Sequence, residues 1–121
     1  MQQQIPEELR TKIAQFQTLQ QQLQLVAMQK QQLLLEKNDL DEASKEVEKS
    51  KGDLYKSVGP LLIKAPKTEL KKELGEKTTS TSSRITLLEK QEQKLVMKVQ
   101  ELQKDLQAGL GGAEANQPAG G

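Results

Sequence analysis

The chain has 121 residues, of which 34% are hydrophobic, 2% aromatic and 29% charged, with a formal net charge of +1. A compact core of this size draws on several large aromatic rings; only Phe16 and Tyr55 are available, so the apolar residues must serve a seam or an interface. Cysteine and histidine are absent, which removes disulfides, thiolate chemistry and the commonest metal ligands, and the even charge balance argues against bulk nucleic-acid binding or a polybasic membrane surface.

Residues 1–7, MQQQIPE, form a polar lead-in. Pro6 suits a helix start, and Glu7 and Glu8 suit the positive end of a helix dipole. No basic region followed by an apolar block opens the chain, as a secretory signal would require. No apolar run reaches the length of a bilayer span. A cytoplasmic protein is the expectation.

Residues 8–51 predict a first coiled-coil helix. One seam row is Leu19, Val26, Leu33, Leu40 and Val47; the other is Leu9, Phe16, Leu23, Lys30, Lys37 and Ser44. The rows alternate in steps of three and four, the spacing that keeps one stripe on a partner helix. Ile13, Leu25, Met28, Leu34 and Leu35 lie off this seam. The segment is rich in Gln, Leu, Lys and Glu, all good helix formers. Gly52 is placed to end the helix in a left-handed conformation, with Lys49 and Lys51 at the negative dipole end.

Residues 54–65, LYKSVGPLLIKA, break the pattern. Leu54–Val58 and Leu61–Ala65 read as two strands, with Gly59 and Pro60 in a tight turn of unspecified type. Leu61, Leu62 and Ile63 in succession put apolar side chains on both faces of a strand. A lone hairpin is marginal in water and exposes edges that invite pairing. The stretch is either an assembly element, joining hairpins of other chains into a larger sheet, or a ribbon-like linker between helices. Tyr55 is correspondingly an interface anchor or a plain strand residue.

Residues 67–108 predict a second coiled-coil helix, with Thr68 as a plausible N-cap. Its rows are Leu74, Thr81, Leu88, Leu95 and Leu102, and Lys71, Thr78, Ile85, Glu92, Val99 and Leu106. Gly75 and the Thr/Ser cluster through residue 83 lower helix propensity, so the segment is either broken there or softly helical. Two rods of similar length joined by a short hairpin fold back as an antiparallel pair. The chain ends then meet at one tip and the hairpin lies at the other. Residues 109–121 have almost nothing to bury and predict a flexible Gly-rich tail.

Catalytic chemistry finds no support. The terminal glycines lack the Lys-Ser/Thr partner of a phosphate loop. Ser80, Ser82 and Ser83 have no histidine with which to form an ordinary triad. Carboxylates alternate with lysines on solvated faces; Glu73 and Lys77 read as one weak surface pair. Arg10 and Arg84 are the only guanidinium groups, too few for a dedicated nucleic-acid surface, and aromatic anchors for a membrane-surface helix are missing. The expectation is a protein that is not an enzyme, with no cofactor, no metal, no nucleic acid and no membrane partner.

Four stretches carry a family likeness: QFQTLQQQLQLVAMQKQQLLLEK (15–37), LYKSVGPLLIKAPKTELKKEL (54–74), RITLLEKQEQKLVMKVQELQKDLQ (84–107) and the Gly-rich tail. The second is the most specific. Together they make the sequence resemble the prefoldin family, in its archaeal beta class, and more distantly the eukaryotic subunit-6 relatives. The resemblance implies a mainly α fold: a long antiparallel two-helix coiled coil joined by a central β-hairpin that assembles into an intersubunit β-barrel body. It implies a hexamer of two alpha-class and four beta-class subunits. Such a hexamer would act as an ATP-independent holdase, capturing unfolded proteins at its coiled-coil tips and delivering them to a group II chaperonin.

On this chain the resemblance assigns oligomer assembly to Leu54, Tyr55, Val58, Gly59, Pro60, Leu61, Leu62 and Ile63. It assigns client binding to Leu9, Ile13, Phe16, Leu102, Leu106 and Leu110. Leu9, Phe16, Leu102 and Leu106 also occupy seam positions, so packing is their competing role; Ile13 is off the seam. Lys90, Lys94, Lys98 and Lys104 are either chaperonin-docking residues or ordinary solvated lysines. Residues 75–83 depart from the charged, strongly helical stretch of relatives, and a locally loose arm is expected there. The alternative is a structural or adaptor coiled coil that binds one specific folded partner.

Overall fold

The structure, a computed structural model, describes the backbone of residues 6–114 and the side chains of residues 6–109. Its elements are α1 (Glu7–Lys49), β1 (Leu54–Val58), β2 (Leu61–Ala65) and α2 (Lys67–Glu114). Two long helices joined by a central antiparallel hairpin thus make up a mainly helical chain.

Local chemistry sets each boundary. The Pro6 carbonyl accepts the Arg10 N–H at 3.0 Å, so Pro6 stands just outside the first helical residue, and Glu7 and Glu8 occupy the first turn, where carboxylates are favoured. At the other end the Ser50 N–H is shared between the Glu46 and Val47 carbonyls. Gly52 does not supply the expected left-handed cap: among the described glycines only Gly59 has a positive φ. Lys67 does the work instead. Its Nζ donates to the Glu48 carbonyl at 2.8 Å and to the Ser50 carbonyl at 3.2 Å, satisfying acceptors that a helix end leaves without partners. The Pro66 carbonyl accepts the Leu70 N–H, so Pro66 and not Thr68 stands at the entry to α2.

The chain divides into two compact units. One is Gln29–Leu88, which holds the end of α1, the hairpin and the start of α2. There α1 and α2 run antiparallel, with Lys71 on α2 bonded to Glu48 on α1 at 2.8 Å. Leu33, Ala65, Leu70, Thr81 and Ile85 are buried. The other unit is Met1–Met28 with Glu89–Gly121. Its helices are also antiparallel, with Lys12 3.9 Å from Asp105 and Val26 and Leu95 buried.

The seam of α1 follows the two predicted rows: every member from Leu9 to Val47 is half-buried or buried, Lys30, Lys37 and Ser44 included. The lysine stems can lie along the seam while their ammonium groups reach outward. On α2 one position differs. Lys71 is exposed, and Leu70 takes the buried place. The step pattern therefore runs 70–74–78 before resuming at Thr81, two fours in succession, which locally unwinds a coiled coil. The helix nonetheless passes unbroken through residues 75–83. The Thr78 hydroxyl donates to the Leu74 carbonyl and the Thr86 hydroxyl to the Ser82 carbonyl, local bonds that absorb the polarity of this segment. Thr81 is the best-buried polar side chain, 3% exposed.

α2 also runs on to Glu114, past residue 108, where composition predicts the tail. Gly109 has a packing reason to be there. A Cβ built on it would lie 3.1 Å from Leu9 Cδ1, so a larger residue there would press on the Leu9 side chain.

The contrast between Leu33, 7% exposed, and Leu35, 57% exposed, is a direct test of this seam. Leu33→Ala should cost about 2–3 kcal/mol and Leu35→Ala no more than about 0.5 kcal/mol, measured by urea denaturation at one protein concentration. Equal losses would place the seam elsewhere.

Candidate functional site: hairpin and paired helix ends

The hairpin is built from five paired positions: Leu54 with Ala65, Tyr55 with Lys64, Lys56 with Ile63, Ser57 with Leu62 and Val58 with Leu61. Residues directly opposite share a face. Leu54, Lys56, Val58, Leu61, Ile63 and Ala65 therefore form one face, and Tyr55, Ser57, Leu62 and Lys64 the other. Only Gly59 and Pro60 lie between the strands. Gly59 has φ of +58°, and no other described residue has a positive φ. A first central residue with positive φ followed by one with negative φ is the type II′ turn. Proline, locked at negative φ, excludes type I′. The Gly-Pro order thus sets the turn and, through it, the register.

The base of the first face is covered, with Ala65 buried and Leu54 half-buried. The rest is open. Tyr55, Val58, Leu61, Leu62 and Ile63 are all exposed, Leu62 to 74%. Apolar side chains thus face solvent on both sides of a sheet with only two strands, whose outer edges carry unpaired backbone groups. These are the sequence-assigned assembly residues, brought together on one small ribbon.

Sequence reasoning missed what fixes the ribbon at its base. Lys56 Nζ bonds Glu69 at 3.1 Å and Glu73 at 3.0 Å, both on the first turns of α2. Glu73 therefore pairs with Lys56 rather than with Lys77. The spacing of Glu69 and Glu73, one helical turn apart, was the legible signal; that a strand lysine would reach them was not. Hydrogen bonds from Lys56 to Glu73 and then Glu69 push the Lys56 ammonium above its ordinary 10.5. The bond from Lys71, with its charge, pulls Glu48 below its ordinary 4.5.

In the other unit the start of α1 lies against the end of α2. Leu9, Ile13, Phe16, Leu102 and Leu106 are all half-buried; the side chain of Leu110 lies outside the described residues. Leu9 borders an open groove of about 410 Å³ whose other walls include Pro6, Ala108 and Gly109 together with Glu8, Lys12 and Asp105. Lys12 also escaped the sequence reading. It stands seven residues before Leu19, on the seam row, and is half-buried there facing Asp105. Ile13 is half-buried despite lying off the seam. Among the described residues no group of acidic, cysteine or histidine side chains is arranged to hold a metal ion, and no helix is long and apolar enough to cross a membrane.

Comparison with known proteins identifies this architecture. Residues 10–113 match the prefoldin subunit family. The crystal structure of the prefoldin beta subunit from Thermococcus strain KS-1 superposes with a TM-score of 0.82 at 38% identity, covering 88% of this chain and 96% of that one. The chain belongs to the prefoldin subunit family. Prefoldin subunit beta of Methanococcus maripaludis is 43% identical over 51 residues, 42% of this chain and 45% of that protein, so the match spans less than half the length of that relative. The prefoldin beta2 subunit from Thermococcus strain KS-1 shares the fold at a TM-score of 0.67 and 22% identity, covering 74% of this chain and 97% of that one.

For this prefoldin subunit the ion pairs of Lys56 and of Glu48 set a pH window. Lys56, raised in the folded state, contributes fully below 10.5 and fades as pH climbs through its raised value; Glu48, lowered, contributes above 4.5 and fades as pH falls through its lowered value. The Lys56 13Cε resonance should accordingly titrate above 10.5, and Glu69→Gln with Glu73→Gln should bring it back. A midpoint unmoved by the double substitution would mean that the carboxylates do not hold the strand.

Proposed function

We propose that this chain is a subunit of an ATP-independent chaperone of the prefoldin type. It acts by binding and not by catalysis, and needs no cofactor. Its hairpin pairs with those of other subunits into a β-barrel body. The expected assembly is a hexamer of two alpha-class and four beta-class subunits in the cytoplasm. The observation that carries the reading is the hairpin: five large apolar side chains exposed on both faces of a two-stranded sheet. Burying them against further strands is the ordinary remedy for an exposed apolar ribbon.

Client capture falls to the paired helix ends, with Leu9, Ile13, Phe16, Leu102, Leu106 and Leu110 as contacts. The half-burial of the first five supports this role, since side chains that are neither sealed nor fully solvated can exchange seam contacts for client contacts when the ends fray. Weak contacts from several arms add through avidity. Captured proteins then pass to a group II chaperonin, with Lys90, Lys94, Lys98 and Lys104 as candidate docking charges.

The test combines native mass measurement with aggregation of a chemically denatured client, using this chain mixed with an alpha-class partner and no ATP. A hexamer that suppresses aggregation is the expected result. Leu61→Ser with Ile63→Ser should abolish the hexamer while leaving helix content, read by circular dichroism, within about 10% of native, because both sites sit on the ribbon and outside the seam. A discrete complex that ignores the denatured client would favour an adaptor of folded partners, and a hexamer indifferent to the double substitution would remove the hairpin from assembly.

A further inference from the structure

A second groove, in the unit formed by Met1–Met28 and Glu89–Gly121, is not explained by the helix ends. It is open, has a volume of about 660 Å³, and runs along α1 from Gln17 to Ala27. Its apolar side is Leu23, Ala27 and, from α2, Val99; its polar side is Gln17, Gln20, Gln21 and Gln24. Leu23 and Val99 are seam residues with one edge showing, half-buried, whereas the glutamines are exposed. None of these residues is charged. The groove at Leu9, by contrast, carries Glu8, Lys12 and Asp105.

The neutrality is a property of the whole segment. Between Lys12 and Lys30 there is no charged residue, in a chain that is 29% charged. Covering a charged side chain without a matched partner is costly, whereas covering an amide that gains a hydrogen bond is not. This groove can therefore be dehydrated without stranding a charge, provided its occupant is neutral and supplies polar partners.

We propose that the groove is a client-binding site that takes a short, extended, uncharged segment of an unfolded polypeptide, an inference that rests on the holdase reading above. An unfolded chain offers one N–H and one C=O at nearly every residue. Each glutamine amide offers both a donor and an acceptor, so it pairs with main chain in either direction and without reading sequence. Glutamines one helical turn apart, Gln17 with Gln21 and Gln20 with Gln24, are spaced about 6 Å along α1, close to the roughly 6.7 Å two-residue repeat of an extended chain. The match holds over about four or five residues before the repeats drift apart. Leu23, Ala27 and Val99 receive the apolar side chains that such a segment turns inward. The helix of a second copy fits less well, because its main-chain groups are already bonded within the helix.

The experiment uses the assembled complex with its alpha-class partner and chemically denatured green fluorescent protein as client. A photo-crosslinking residue is placed at Gln20, in the groove, or at Gln22, exposed and outside it. Separately, Gln20→Glu and Gln24→Glu are combined, with native mass confirming intact assembly. We expect client crosslinks at position 20 and few at 22, and a client affinity weakened about tenfold by the two glutamates. Crosslinking at 22 as strong as at 20, capture of a neighbouring subunit in place of client, or unchanged affinity in the double variant would overturn the groove site while leaving the holdase reading intact. A native complex that fails to bind the client would overturn the holdase reading itself, and the groove site with it.

Discussion

A pair of helices can bury only one stripe of each. That constraint governs the rest of this molecule. No described side chain falls below 2% exposure, and even the best-buried one, Thr81, keeps 3%. The apolar part of the seam is aliphatic, with Phe16 as its single ring, and it forms one layer only. Most large apolar residues off the seam, Leu25, Met28, Leu35, Leu87 and Met97 among them, face water. The hairpin is where this is most acute, because a two-stranded ribbon has no interior at all.

The polar members of the seam give it direction. A seam of aliphatic residues alone tolerates slippage, whereas a polar residue at a seam position specifies register at some cost in stability. Lys12 facing Asp105 does this in one unit, and Lys71 on Glu48 borders the seam in the other. Lys56 extends the same logic to the ribbon by reaching two carboxylates on the first turns of α2. Lys67, capping the last carbonyls of α1, ties the two helix ends on either side of the hairpin. The unit that presents the ribbon is thus held by charge-assisted bonds around a thin apolar seam, which leaves the strand faces free for other chains.

This division is compatible with the proposed holdase role. The hairpin carries five exposed large apolar side chains, and in the proposed role contact with clients falls to side chains that are half-buried or neutral. In that role each contact would be weak, and several arms acting together would supply the retention.

Much of this was legible beforehand. The three-four rows of α1 could be read directly, because Leu, Val and Phe recur at the spacing that one face of a helix demands, and the hairpin stood out because Gly-Pro separates two β-branched, apolar stretches. Residues 54–74 carried the family likeness. What the sequence alone could not determine were choices made between segments. Leu70 rather than Lys71 enters the seam because a lysine at that place finds Glu48 beside the seam instead. Gly52 is spared a left-handed cap because an amine from the next helix reaches the same carbonyls. The weak helix formers of residues 75–83 stay helical while Thr81 is packed away against the partner helix. Local propensity sets which conformations are cheap; which of them is adopted was decided by side chains from distant parts of the chain, and those meet only once the fold has formed.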